Sequence, residues 1–480
     1  MKSKLKKLAL GLAIALVSVV ALFLIVIGPW PVYSDSDFAS SAYYEEALAR
    51  IDAAAAKATI SESPGRLQAG WASRIMTPDV GVPMGGYGGR PDGKRSAGVR
   101  DELMAKAIAI GDGTDVVVLL GTCMLIIPPN IAELTIEQVE QETPLTANNI
   151  FFTASHTHCG PGGFAPGLAS RISGGEYDPE VPVFLSGVFA DAIVAAYNNM
   201  MPAQIAHGHI DAPQYIRNRT RDGDVDSALN WMIVENEDGD RCYVTRFSAH
   251  PTVFGQRMMD FSGEFPGEMM RHIEQQTNAT AIYLGGAVGS MSPRTPGGET
   301  ADERVVALGQ ALGQMVVEVA YQDPNFISYA NVASLGIPIG VPPIQVRPLS
   351  PKWRLSPVAA KILNVPPEGW IQAARIGEML FIGLPFDVSG ELAKEWRERA
   401  AVEGWDMWVT GFSAAYLGYL TPDRYYYDVD EDGRLGYETG LMSWLGPDSE
   451  AYFGALTNRI IEGFSPAPSE MPTPQAAEAS

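Results

Sequence analysis

The chain has 480 residues, 46% hydrophobic and 19% charged, which is enough apolar material for one large folded domain or two. A formal charge of −22, with no basic block outside the N-terminus, argues against nucleic acid as a partner. Three cysteines (Cys123, Cys159, Cys242) cannot build a disulfide framework, and no CxxC or Cys/His cluster of the zinc-finger kind is present.

Lys2, Lys4, Lys6 and Lys7 precede an uncharged apolar run over 8–28 that is long enough to cross a bilayer. The run ends in Gly28-Pro29-Trp30-Pro31, with Trp30 and Tyr33 as interface anchors, and no small-residue cleavage site is evident. An uncleaved anchor is favoured over a cleaved signal for residues 1–33. In both cases the positive-inside rule places the bulk of the chain outside the cytoplasm, in the cell envelope or secreted. Residues 34–66 read as a helical stalk or packed helix followed by a linker. The catalytic-looking domain spans 67–464, and the Pro/Ala/Ser/Glu-rich tail 465–480 reads as disordered.

Within the domain, 69–75 alternates like a strand and leads to a glycine loop over 81–90. That loop lacks the Lys-Ser/Thr of a phosphate-binding loop, so lying against an active site is its better role. Strands are expected over 103–110 and 115–120, a helix over 130–141, and a strand over 149–154 that runs into Ser155-His156-Thr157-His158-Cys159-Gly160-Pro161-Gly162-Gly163. On a strand, residues i and i+2 share a face, so His156 and His158 would look into one space. A zinc site and a polar sheet rim are both open readings. A helix follows over 181–199. A second pair, His207 and His209 in the strand 204–210, has no glycine turn after it and reads as strand surface.

The hairpin 230–247 ends at His250-Pro251, and a helix runs on to 276. The strand 281–284 delivers Ser290 and Ser292 from a glycine turn that is not the GxSxG elbow. A helix spans 305–321. The proline-rich stretch 341–370 is a lid or a surface excursion. A strand over 374–384 precedes Asp387, a helix covers 389–401, and the strand 407–411 leads to Tyr416 and Tyr419. After an acidic loop over 428–432 come Tyr437 and a closing helix over 450–464. Strand pairs and strand–helix–strand units together indicate an α/β fold, a mixed sheet core with helices around it in a single large catalytic domain behind an N-terminal transmembrane helix.

Five motifs in order carry a resemblance: Ser155-His156-Thr157-His158 with its glycine turn, Asn218-Arg219-Thr220, Ala249-His250-Pro251-Thr252, Ser292-Pro293, and Tyr416-x-x-Tyr419-x-Thr421. From about 67 to 464 the chain resembles the catalytic domain of the neutral/alkaline ceramidases, without their C-terminal immunoglobulin-like domain. The resemblance implies one Zn²⁺ per chain held by His156, His250, Asp387 and Tyr419. It implies that Ser292, His158, Arg219 and Tyr437 serve catalysis, with Arg219 and Tyr437 steadying an oxyanion. The family's glutamate ligand falls on Asp387, one methylene shorter, and Cys159 stands where a serine is usual. The implied reaction is zinc-dependent hydrolysis of the N-acyl amide of ceramide or a related lipid at a membrane surface. The alternatives are a zinc hydrolase of the same fold acting on another envelope amide or ester, and an inactive anchored binding module.

Overall fold

Several strands of this chain are apolar at consecutive positions, as in Ile150–Ala154, where every residue is buried. A strand of that kind must be covered on both faces, and the architecture meets the requirement with two stacked sheets. In the computed structural model, residues 2–30, 38–56, 63–363 and 368–465 are described. The helices in chain order are α1 (Lys2–Val26), α2 (Ala42–Ala55), α3 (Pro129–Glu142), α4 (Leu168–Gly174), α5 (Glu180–Asn198), α6 (Glu264–Thr277), α7 (Ala301–Ala320), α8 (Pro357–Leu363), α9 (Gly390–Val402) and α10 (Ser449–Phe464).

The larger sheet has eight strands in the order Thr280–Gly285, Arg241–Phe247, Ala228–Asn236, Met201–Asp211, Gln68–Ile75, Met104–Gly111, Val116–Thr122, Ile150–Ala154. Its interior pairs are antiparallel, and the outermost pair at each edge is parallel. The smaller sheet orders Val332–Gly340, Glu368–Ile376, Met379–Gly383 and Asp406–Thr410, the last two parallel.

Side chains alternate between two cores. Ile108, Leu119 and Phe151 face the smaller sheet and meet Phe381 and Trp408 there. Their neighbours Ala107, Leu120 and Phe152 turn outward onto α3, α5, α6 and α7. The outer face of the smaller sheet, with Leu380 and Ile382, is covered by α2, α9 and α10 through Ile51, Trp396 and Leu456. Four layers result, helix–sheet–sheet–helix. The mixed α/β class expected from the sequence holds, while the second sheet was not anticipated.

The expected strand 374–384 is instead the end of one strand and the whole of another. They reverse at Gly377, whose φ of 62° suits glycine. Residues that read as a stalk or packed helix contain α2, which buries Ala47 and Ile51 against the smaller sheet. The N-terminal apolar helix α1 is also tied to the fold. Ile27–Gly28 pairs antiparallel with Arg354–Leu355, and the Ser356 amide donates to the Val26 carbonyl at 2.9 Å. Tyr33, the linker residues 61–62 and the tail beyond 465 lie outside the described residues.

Candidate metal centre

The parallel pairs bring their C-terminal ends to one side of the two sheets, and there the chain changes direction several times. The loops after Ala154, Phe247, Gly285, Gly383 and Thr410 touch one another. The Gly289 amide donates to Val388 O at 2.8 Å, the Ser413 amide to Leu384 O at 3.2 Å, and Asp387 is paired with Tyr419. The Arg219 amide donates to Ser290 O at 2.8 Å, which adds the loop after Ile216–Asn218 to the cluster.

His156 and His158 do meet, but not as neighbours on one face of a strand. The strand ends at Ala154, and His156 lies beyond it with φ 64°, in the left-handed region. That turn swings its ring to stack flat on Phe412, with centroids 4.0 Å apart. His156 Nε2 then lies 3.4 Å from His158 Nε2, and His158 Nε2 lies 2.9 Å from His250 Nε2. Among the described residues, His156, His158 and His250 form the group whose nitrogens converge closely enough to share an ion.

The second ring nitrogens fix the tautomers of two of the three. A carbonyl only accepts, so Nδ1 of His156 donates to Leu125 O at 2.6 Å and Nδ1 of His250 to Val288 O at 3.2 Å. Their Nε2 lone pairs are thereby turned to the shared space, as metal-ligating histidines require. Burial, reinforced by neighbouring positive charge, pushes the His158 and His250 pKa values well below the ordinary range, and burial lowers His156 as well. All three imidazoles are therefore neutral and able to ligate at neutral pH.

Asp387 brings a carboxylate to the same place. Its Oδ1 is 3.4 Å from His156 Nε2 and has no hydrogen-bond partner among the described residues, while Oδ2 accepts from Tyr416 at 2.7 Å. Burial raises the Asp387 pKa, and His156 and the Tyr416 hydroxyl oppose that rise. An ion with bonds of about 2.0–2.1 Å sets neighbouring tetrahedral donors about 3.4 Å apart. The His156–His158 and His156–Asp387 separations match that spacing and His158–His250 is closer at 2.9 Å, so the donor set can hold a metal ion.

Arg219 Nε and Nη2 are gripped by Gly289 O at 3.1 and 2.8 Å, and Nη2 also donates to the Tyr419 hydroxyl at 3.0 Å. Burial opposes its charge, yet Tyr419 and Asp387 hold its pKa above the usual value. Tyr419 is buried, and burial together with Asp387 raises its phenol well above the ordinary range. Tyr437 is 54% exposed and sets its ring edge-on to Tyr419 with centroids 5.4 Å apart. Ser292 lies on the short strand Met291–Pro293, opposite Arg217. Among the described residues its hydroxyl makes no hydrogen bond to the histidines. The second HxH is outside this group, with His207 bonded to Asp406 at 2.8 Å.

The glycine loop lies over His158. Tyr87 packs on the imidazole with centroids 4.7 Å apart, and Arg90 donates to the His158 carbonyl. A Cβ on Gly86, whose φ is 109°, would fall 2.7 Å from His158 Nδ1, so only glycine allows this approach. Sequence reasoning missed three supports of the site: Tyr87, Phe412 and Tyr416. Tyr416 was visible as the first tyrosine of its motif. The other two carried no signal beyond being aromatic near a glycine turn or a strand end.

The sequence model of the neutral/alkaline non-lysosomal ceramidase N-terminal domain matches residues 69–311, just over half of the chain. No curated protein matches. Among solved structures, neutral ceramidase from Pseudomonas aeruginosa is similar, with a TM-score of 0.68 and 17% identity over 84% of this chain and 74% of that one. A ceramidase complexed with C2 has the same TM-score of 0.68 and 17% identity, over 86% and 78% of the two chains. At that identity the structural likeness speaks for the fold, and the family rests on the sequence match. The chain belongs to the neutral/alkaline non-lysosomal ceramidase family, a family of amide-bond hydrolases.

Proposed function

We propose that the chain is a zinc-dependent amidohydrolase of the neutral ceramidase type, cleaving the N-acyl amide of ceramide or a related N-acyl lipid to a fatty acid and an amino alcohol. One observation carries this reading. Two of three convergent imidazoles are tied through Nδ1 to backbone carbonyls, so that their Nε2 atoms face a shared space beside an unpartnered carboxylate oxygen. His156, His158, His250 and Asp387 would hold the ion, with the Tyr419 phenol next to them. Bound there, Zn²⁺ supplies Lewis acidity and makes water acidic enough to ionise near neutral pH.

The protein's own groups do the rest. Arg219 is fixed by a carbonyl rather than a carboxylate, so its charge is left available to an oxygen that becomes negative during attack on the amide. Its bond to Tyr419 polarises that hydroxyl as a second donor, and Tyr437, half outside, closes the rim. The leaving nitrogen needs a proton, for which His158 and Ser292 are the candidates. His158 Nδ1 is buried with no partner among the described residues.

The N-terminal helix supports a membrane setting. Lys4–Val26 is apolar and fully unburied, and the residues after it are paired into the fold, as suits an anchor that is kept. The test measures metal content of the purified chain and release of fatty acid from a fluorescent N-acyl-sphingosine, with and without a chelator. Release that stops on chelation and returns with Zn²⁺ is expected. Robust release that survives chelation overturns the metal mechanism. Full zinc occupancy without release moves the substrate to another envelope amide or ester.

A further inference from the structure

The three cysteines are buried, and a cavity of about 360 Å³ away from the site is lined by ion-paired side chains already satisfied by one another. The exposed surface offers more. Two short helices that touch each other, α4 and α8, both present large apolar side chains to solvent. Val358 and Ile362 on α8 are 62% and 67% exposed, and Leu168 and Ile172 on α4 are 48% and 56% exposed. Isolated apolar residues on a surface mean little, but four on adjoining short helices form a patch that needs a partner.

The anchor identifies that partner. The last turn of α1 packs on α8, Phe23 meets Trp353 with centroids 6.0 Å apart, and Ile27–Gly28 pairs with the strand just before α8. Lys4–Val26 has 23 residues, about 35 Å of helix, against a hydrocarbon core of about 30 Å. With α1 inserted, its C-terminal end lies at the outer interface, and the attached strand holds α8 and α4 beside it at the same height. Charge agrees. In a chain of net charge −22, residues 341–363 contain no acid and expose Lys352 and Lys361, and Arg171 is the one charged residue of α4. Apolar side chains with interspersed cations are the make-up of an interfacial helix among lipid headgroups.

The patch also reaches the site. Lys94 donates to the Ile172 carbonyl and the Gly86 amide to Ser173 O at 2.8 Å, so α4 is fastened to the glycine loop that lies on His158. We propose that α4 and α8 form a membrane-docking face that rests in the outer leaflet beside the anchor and holds the mouth of the site against the bilayer. This rests on the anchor reading given above.

The test uses the full chain in lipid vesicles that contain a lipid carrying a quencher in its acyl chain. The native cysteines are buried, so a single introduced one takes a fluorescent label. Ile362→Cys and Ile172→Cys are compared with Val402→Cys, an 87% exposed position on α9. Quenching at 362 and 172 but not at 402 is expected. Alkaline carbonate extraction of the same vesicles reads the anchor separately. Labels that stay bright on a chain that resists extraction overturn the docking face and leave the anchor standing. Quenched labels on a chain that has lost α1 sustain the face and overturn the anchor. Bright labels on an extractable chain overturn both. The Val358→Asp, Ile362→Asp double variant is expected to cleave vesicle-borne N-acyl-sphingosine about tenfold more slowly and a short-chain, water-soluble analogue at an unchanged rate. Equal loss on both substrates overturns the proposal.

Discussion

Tyr416 donates its hydroxyl to one oxygen of Asp387 at 2.7 Å, and the other oxygen of that carboxylate is left facing His156. The tyrosine thus decides which way the carboxylate points. Removing the hydroxyl in Tyr416→Phe frees Asp387 to rotate and leaves it less well satisfied. Outer partners of metal ligands are worth about 10–100-fold in affinity. The expected outcome is at least tenfold weaker zinc binding, by competition with a chelating dye, with activity restored by excess zinc. Unchanged affinity would show that Asp387 is not part of the donor set.

The His158 ring lies 4.9 Å from each of the other two imidazoles, centroid to centroid, and those two are 4.5 Å apart, so its nitrogen joins theirs in one group. His158→Ala is therefore expected to act like His156→Ala and His250→Ala, with metal content well below one per chain and activity down by more than about a hundredfold. A His158→Ala protein that keeps a full complement of metal while losing activity would move this residue from holding the ion to handling the proton.

Arg219 is held through two of its nitrogens, and lysine cannot reproduce that grip. Arg219→Lys is expected to lower kcat by about 10²–10³ with little change in KM, because the lost contact is made in the transition state. A rise in KM at constant kcat would assign Arg219 to substrate binding instead.

Glu264 is buried at the start of α6, accepting from the amides of Phe254 and Phe265 at 2.8 Å each. Burial outweighs those bonds and pushes its carboxyl up to about 7, from 4.5 in the absence of perturbation. Below the lower value both folded and unfolded chains are protonated, and the group has no effect on stability. Between the two values only the unfolded chain loses its proton, so stability falls as pH rises, and above about 7 the whole penalty is present. At 1.36 kcal/mol per unit, that penalty is about 3 kcal/mol at most. Denaturant midpoints for the native chain and Glu264→Gln, measured from about pH 5 to pH 8, are expected to shift in the variant's favour as pH rises. A difference that does not move with pH would mean that the carboxyl is not raised.

The strand ends could be read along the chain because β-branched and apolar runs stop abruptly at glycine or proline, as before Gly160 and Pro251. Histidines standing at such stops were visible for the same reason. What could not be read was the partner of each run. Phe151 and Phe152 look alike in sequence, yet one packs between the sheets and the other beneath helices. Long-range pairing alone decides this, which is why the second sheet went unseen. Local periodicity also misjudged His156, because its left-handed turn is paid for by a stack on Phe412 more than 250 positions away. Ser292 belongs to a named motif, and the strand pairing that fixes it sets it opposite Arg217, two positions from Arg219.

His156, Phe412 and Ala414 are all non-glycine residues with positive φ, at 64°, 66° and 51°. Each such conformation costs about 1–2 kcal/mol that glycine would spare. A laboratory selection for heat resistance would therefore find relief at these positions, and at 156 and 412 the same exchange would strip away a ring that orders the pocket. The region where this enzyme is most easily toughened is the region where toughening would silence it.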